Sequence, residues 1–395
     1  MKCRIDKSKC KIFLRFGKMP IANGFLKKNQ FKKEYFFELN VGFNKKLSLF
    51  QLEKNPSPKK MFNENYPFYT ASSKFMVSHF EKFSLWVKKY FSNNKKFKIL
   101  EIGSNDGTFL KNFKKNYHVG IEPSKSVHKD AIKNNVNSEN KFFNYKTIKK
   151  YIKKKIKFDI IVGSNVICHI PDQNALINNI LKILRNNGLF VFEEPYLGSM
   201  YEKVSYDQIY DEHIYMFSAT SIKKIYEKYG MKLIDAIPQK THGGSMRYIV
   251  KNNINSKISK RLKKILFNEK LKNIDNFKGC IKFKKEVEKS KKRLREKILS
   301  IKSKKQKICG YGATSKSTTI LNYCNINFKH IDCIFDTTPF KIGRYSPGTH
   351  IPILNHKLFK KKNYKNVFLF AWNHKQEIMK KEKKLKNINW FSHLN

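Results

Sequence analysis

The segment KILEIGSNDGTFL, Lys98 to Leu110, constrains the fold more than any other stretch of the chain. A short apolar run holds the acid Glu101 and ends in a glycine turn. This pattern reads as a buried strand that turns tightly at its carboxyl end, where glycine lets backbone approach a ligand closely. The next apolar segment, HVGIEP, closes on Glu122, nineteen residues after Gly103. An acid at that place can accept hydrogen bonds from both hydroxyls of a ribose, in a nicotinamide enzyme as in others. The turn GSNDG lacks the G-x-G-x-x-G spacing that seats a pyrophosphate on a helix N-terminus, which argues against hydride transfer. Glu101, Gly103, Asn105, Asp106, Gly107 and Glu122, with Asn165 after a later strand, are therefore the candidate cofactor-binding residues.

Around this turn the chain alternates short apolar strands with helical stretches. Strands are expected at 98–102, 118–121, 158–162 and 189–192, and a helix at 173–185 with Leu176, Ile177, Ile180, Leu181 and Leu184 on one face. That rhythm specifies an α/β fold with a doubly wound parallel sheet. Three parts are expected: a loop-and-strand module at 1–66, a cofactor-binding core at 67–240, and a Rossmann-like domain at 241–395 that includes basic amphipathic helices at 254–305. A second strand and glycine turn, ICGYGATSK, begins that last domain's own sheet at Ile308.

The chain carries 83 Lys and Arg against 30 Asp and Glu, a formal charge of +53. The lysines are spread over nearly every segment and no stripe of base-reading residues accompanies them, so no dedicated nucleic-acid partner is expected. A positive field suits an anionic small substrate instead. The seven cysteines form no CxxC pair, which fits free thiols in a reducing compartment. No apolar stretch is long enough to span a membrane and the first residues lack the apolar core of a signal peptide, so no membrane partner and a cytoplasmic location are expected.

Several separated segments share one further pattern: FGKMPIANGFL from Phe16, YPFYTASSKFMVSHF from Tyr66, SNVICHIPD from Ser164, FEEPYLG from Phe192, YDEHIYMFS from Tyr210, HGGSMR from His242, GYGATSKSTTILNY from Gly310, and FDTTPFKIGRYSPGTHIPI from Phe335. In this order, and with the EIGSNDGTFL turn, they resemble the deoxysugar C-methyltransferases. Those are class I S-adenosylmethionine-dependent enzymes that methylate a carbon next to the ketone of a nucleotide-linked sugar. The resemblance implies S-adenosylmethionine as cofactor, a nucleotide sugar as substrate, and His213 as general base. Imidazole suits that task near neutrality, because such a carbon attacks only after losing a proton. Glu212 and Tyr210 are expected to orient substrate or polarise neighbouring groups, and His169 to face the same crevice. Tyr69 and Ser72 are expected to close over the sugar, with a helix cap among core aromatics as the ordinary alternative. Arg247 is expected to meet a diphosphate, unless HGGSMR is a structural turn. Gly310, Gly312 and Lys316 are expected to complete the nucleotide-sugar site, with plain scaffolding as the alternative.

The sequence departs from that family at its zinc site. Cys3 matches the first ligand of two CxxC pairs, but Asp6, Asn44 and Leu47 stand where the other cysteines belong. Leu47 cannot coordinate a metal, so no zinc is expected, and Phe13, Leu14, Phe16, Leu49 and Phe50 must hold the module together. Two other functions fit the same sequence: methyl transfer to oxygen or nitrogen of another small molecule, and a non-catalytic nucleic-acid-binding protein on the same fold.

Overall fold

The computed structural model describes residues 1–57, 61, 69–91, 96–383, 385 and 387–394. The expected division at 66/67 and the start of the YPFYTASS segment, Tyr66 to Phe68, lie outside the described residues. Strands β1 (Cys10–Pro20), β2 (Phe36–Asn44) and β3 (Leu49–Leu52) form an antiparallel meander. These strands bury Phe13, Leu14, Phe16 and Phe50, a register shift between Ile12 and Leu14 accompanying the burial of two consecutive residues, and the rings of Phe13 and Phe50 are centred 4.7 Å apart. At the former ligand positions, Asn44 Oδ1 accepts the Leu47 amide at 2.7 Å, Asn44 Nδ2 donates to Ser8 Oγ at 2.7 Å, and Leu47 is buried. The knuckle is thus held by hydrogen bonds and apolar packing.

The core sheet is built from β4 (Lys98–Ile102), β5 (Tyr117–Ile121), β6 (Ser138–Glu139), β7 (Phe158–Ser164) and β8 (Leu184–Pro195). These five are parallel, with β4 between β5 and β7, so the chain reverses direction across the sheet at the β4 turn. β4 and β7 are buried along nearly their whole length, as apolar runs flanked by layers on both faces must be. The helix Gln173–Ile183 ends two residues before the expected boundary because Leu184 already starts β8. β9 (Tyr215–Met216) runs back to pair with β3, adding a fourth strand to the first sheet. β10 (Lys232–Gln239) and β11 (Ser245–Lys251) close the core sheet as an antiparallel hairpin on β8, so the sheet is mixed rather than wholly parallel. Residue 240 lies in the connection of that hairpin, and β11 beyond it belongs to the core sheet.

The third sheet is parallel: β12 (Ile308–Tyr311), β13 (Cys333–Asp336), β14 (Ile353–Asn355), β15 (Asn366–Leu369) and β16 (Asn389–Phe391), in the order β14-β13-β12-β15-β16. The basic helices are Lys260–Leu271 and Phe277–Ser303. Lysines cover one face of the longer helix, while Phe283, Val287, Leu294 and Ile298 on the other join the apolar core of the first and third sheets.

Candidate active site

One cavity of about 390 Å³ lies where the carboxyl ends of β4, β5 and β7 meet the third sheet's glycine turn. Strand ends are the ordinary ligand position in doubly wound sheets. At the β4 turn Gly103 adopts φ 68° and Asn105 φ 49°, a left-handed path that glycine and asparagine accept most readily. Glu122 Oε2 accepts the Asn105 amide at 2.9 Å and Oε1 the Ser124 amide at 2.7 Å, which fixes the carboxylate edge at the cavity wall. Burial raises the carboxyls of Glu101 and Glu122 above their usual range. Four buried polar atoms of lining residues, Glu101 Oε2, Ser104 Oγ, Ser164 Oγ and Asn165 Oδ1, have no hydrogen-bond partner among the described residues. Such atoms call for a ligand rich in donors and acceptors.

The YDEH segment is a turn that delivers Tyr210, Glu212 and His213 to the same cavity, all buried. Nδ1 of His213 lies 2.6 Å from the Gln208 carbonyl oxygen, which can only accept, so Nδ1 carries the proton. Nε2 is left as the acceptor and takes the Tyr210 hydroxyl at 3.0 Å. Burial, the largest cause, and the nearby Lys316 charge pull the imidazole down to about 4, against the Gln208 hydrogen bond and Asp207, which raise it. Glu212 accepts from Asn23 Nδ2 at 2.6 Å, and burial with the Asp211 carboxylate beside it pushes it up to about 8. The His169 ring stacks on His213 at 5.3 Å. Glu194 orders the short turn that carries His169: its Oε1 accepts the amides of Val166, Ile167 and Cys168 at 3.1, 2.7 and 3.3 Å.

From the opposite side, Lys316 and Lys341 line the cavity with Thr314 and Ser315. Lys316 donates to the His242 carbonyl at 3.2 Å, and Asn165 Nδ2 reaches His242 Nε2 at 2.9 Å. The Glu101 and Glu122 carboxyls therefore come from the core sheet, Glu212 from the YDEH turn, and the ammonium groups from the side of the third sheet. Among the described residues one trio has donor atoms close enough to share a cation, Cys168, His169 and His213, within 4.8 Å of one another. Burial and the Glu194 charge push the Cys168 thiol well up.

Ten of the residues expected from sequence line the cavity: Glu101, Gly103, Asn105, Glu122, Asn165, His169, Tyr210, Glu212, His213 and Lys316. Seven do not. Asp106 is consumed by the loop, accepting the Ala71 amide at 2.7 Å and the Thr108 hydroxyl at 2.6 Å, and a Cβ at Gly107 would meet Val136 at 2.7 Å. Arg247 stands opposite Glu193 across β8 and β11, bonds it at 2.6 Å and lies 3.7 Å over the Phe83 ring, so it does not meet a diphosphate. Gly310 and Gly312 admit the packing of Phe370 and Ala371. Ser72 is exposed and bonds the Tyr69 carbonyl, whereas Thr70 from the same segment reaches the cavity and Asn105. Asn23, His242 and Lys341 were missed, although each lies inside a motif that marked the family resemblance.

The mixed sheet, the acid-bearing turn and the donor-rich cavity at the strand ends define an S-adenosylmethionine-dependent methyltransferase. A family model of the methyltransferase domain matches residues 70–236, and one of the C-methyltransferase C-terminal domain matches residues 240–390. The chain is 25% identical over 373 residues to C-methyltransferase NovU of Streptomyces niveus, covering 93% of this chain and 88% of that protein. It is accordingly a C-methyltransferase. Similar solved structures include a magnesium protoporphyrin IX methyltransferase of Synechocystis PCC 6803 with bound S-adenosylmethionine, 11% identical over 45% of this chain and 79% of that one, TM-score 0.34. Another is an S-adenosylmethionine-dependent methyltransferase of Clostridium acetobutylicum, 14% identical over 44% of this chain and 92% of that one, TM-score 0.34.

Proposed function

We propose that the enzyme methylates a carbon beside the ketone of a nucleotide-linked keto-deoxysugar, with His213 as the general base. The observation that carries this reading is the fixed tautomer of His213: Nδ1–H is committed to the Gln208 carbonyl, and Nε2 is left as an acceptor that holds the Tyr210 hydroxyl, which a substrate must displace before Nε2 can take a proton. The bound cofactor supplies an electrophilic methyl group on a sulfonium. On the protein side, Glu122 would accept the ribose hydroxyls, and the unpartnered atoms of Glu101, Ser104, Ser164 and Asn165 would take the remaining polar groups. Lys316 and Lys341 would hold the anionic diphosphate. Pairing Lys316 with that anion removes a charge that depresses His213, so substrate binding makes the base stronger at the moment it is needed. Nε2 then takes the proton from the carbon, the carbanion is delocalised into the ketone, and Tyr210 donates a hydrogen bond to the oxygen that gains charge.

The test is solvent deuterium exchange into a panel of nucleotide-linked keto-sugars. Wild type should exchange the proton beside the ketone, and His213→Asn should lose exchange and methylation by about 10²- to 10⁴-fold while still binding S-adenosylmethionine. Methyl transfer without exchange, or equal activity in His213→Asn, would remove the base from the mechanism and point to oxygen or nitrogen as the acceptor.

A further inference from the structure

The turn that sets the tautomer of His213 is anchored by a residue from the far side of the fold. His393, just after β16, places Nε2 3.2 Å from Asp207 Oδ1, and both side chains are 1% exposed. Trp372 Nε1 donates to the other oxygen of Asp207 at 2.6 Å. The backbone carbonyl of His393 accepts Ser290 Oγ at 2.8 Å and an Arg293 nitrogen at 3.4 Å, both from the long basic helix. The edge of its ring meets Tyr206, with centroids 5.2 Å apart. Burial pushes the Asp207 carboxyl up, yet His393, the Lys316 ammonium and the Trp372 hydrogen bond together hold it below its usual range. Asp207 and Gln208 share one short turn, Tyr206–Gln208. A pinned Asp207 therefore fixes the direction of the Gln208 carbonyl that takes the His213 proton at 2.6 Å.

We infer that His393 is a positioning residue for the base: its close buried contact with Asp207, beside the Trp372 hydrogen bond, holds the 206–208 turn, and the turn's carbonyl selects the His213 tautomer that leaves Nε2 as the acceptor. This rests on the reading of His213 as base. It gives the third sheet a part in the chemistry, since a residue outside the cavity wall determines which nitrogen of the base carries the proton.

The experiment compares wild type, His393→Ala and His393→Gln by ¹⁵N–¹H correlation of the imidazole rings, with His213→Asn used to assign the His213 signals. Wild type should show the Nδ1–H form. In His393→Ala, a thermal melt and unchanged S-adenosylmethionine affinity should report an intact fold while the His213 ring becomes a tautomer mixture. Turnover and exchange beside the ketone should then fall about ten- to a hundredfold, with KM moving less than about twofold. His393→Gln keeps a donor toward Asp207 and should recover to within about threefold of wild type. An unchanged His213 tautomer in His393→Ala would overturn the inference. So would a parallel loss of cofactor affinity, which would make the residue merely structural. If wild type itself exchanges nothing, the base reading fails, and the tautomer comparison still decides whether His393 governs the ring.

Discussion

The turns after β4 and β12 are built on one plan. In each, a positive-φ glycine, Gly103 or Gly312, donates its amide to the carbonyl of the adjoining strand at 2.8 Å. In each, an acid at the end of that strand accepts a turn amide and one of its own following amides. Glu122 takes Asn105 and Ser124, and Asp336 takes Ala313 and Thr338, at 2.7 to 2.9 Å. The surroundings separate them. Glu122 keeps an edge on the cavity, whereas Asp336 is absent from its wall and has Lys341 beside it, with Lys341 Nζ bonded to the Ala313 carbonyl at 2.7 Å. The β12 turn also opens the helix Ser315–Tyr323, capped by Thr314, whose amino end favours anions. The same backbone device thus leaves a carboxyl edge at one end of the cavity and lysine ammonium groups at the other, according to which side chain is left free.

Exchanging the acids is the harshest way to break this contrast. Glu122→Ala should weaken S-adenosylmethionine binding about a hundredfold in a calorimetric titration, since hydrogen bonds to a charged group are worth about 1.5–3 kcal/mol. Asp336→Ala should leave that affinity within about twofold while lowering the melting temperature. Equal effects from the two would erase the distinction between the turns. Lys316→Met should raise KM for an anionic substrate about tenfold and leave cofactor affinity unchanged, for one lost charge-assisted contact. A shift in cofactor affinity instead would place the lysine at the wrong end of the cavity.

A smaller effect follows from pH. Glu212 is raised to about 8, and Asp211 and Glu194 to about 7, all chiefly by burial. At these three groups the folded state then holds protons that the unfolded chain has released, so their contribution to stability is greatest below the unfolded values, near pH 4, and is lost as pH rises toward about 8, while the depressed His213 imidazole contributes in the opposite sense. Compared with wild type, Glu212→Gln should remove a falling component from the ligand-free melting temperature between about pH 4 and pH 8. Smallest of all, Ser72→Ala should change neither KM nor cofactor affinity, because its hydroxyl is spent on the Tyr69 carbonyl at the surface.

Local pattern carried the core strands and the placement of Glu122, since both depend on short-range periodicity and strand length. It failed where a partner comes from elsewhere. Arg247 looks like an anion-binding residue until β11 sets it opposite Glu193, 54 positions away, and Asp106 looks like a cofactor ligand until Ala71 claims its carboxylate. The β10–β11 hairpin and the return of β9 to the first sheet are likewise pairings at a distance that periodicity does not encode.

The bond from Asn23 to Glu212 and the presence of His374 in the same wall have a consequence in time. On a ribosome adding about 5–20 residues per second, roughly 20 to 70 s separate the synthesis of the first of these residues from the last. For about the first half of that interval, until Tyr215 and Met216 emerge, β3 lacks its partner β9 and presents a bare edge, the kind of surface that sticks to other strands. The emerging polypeptide is therefore inert and vulnerable together at first, and the vulnerability ends well before the cavity wall is complete.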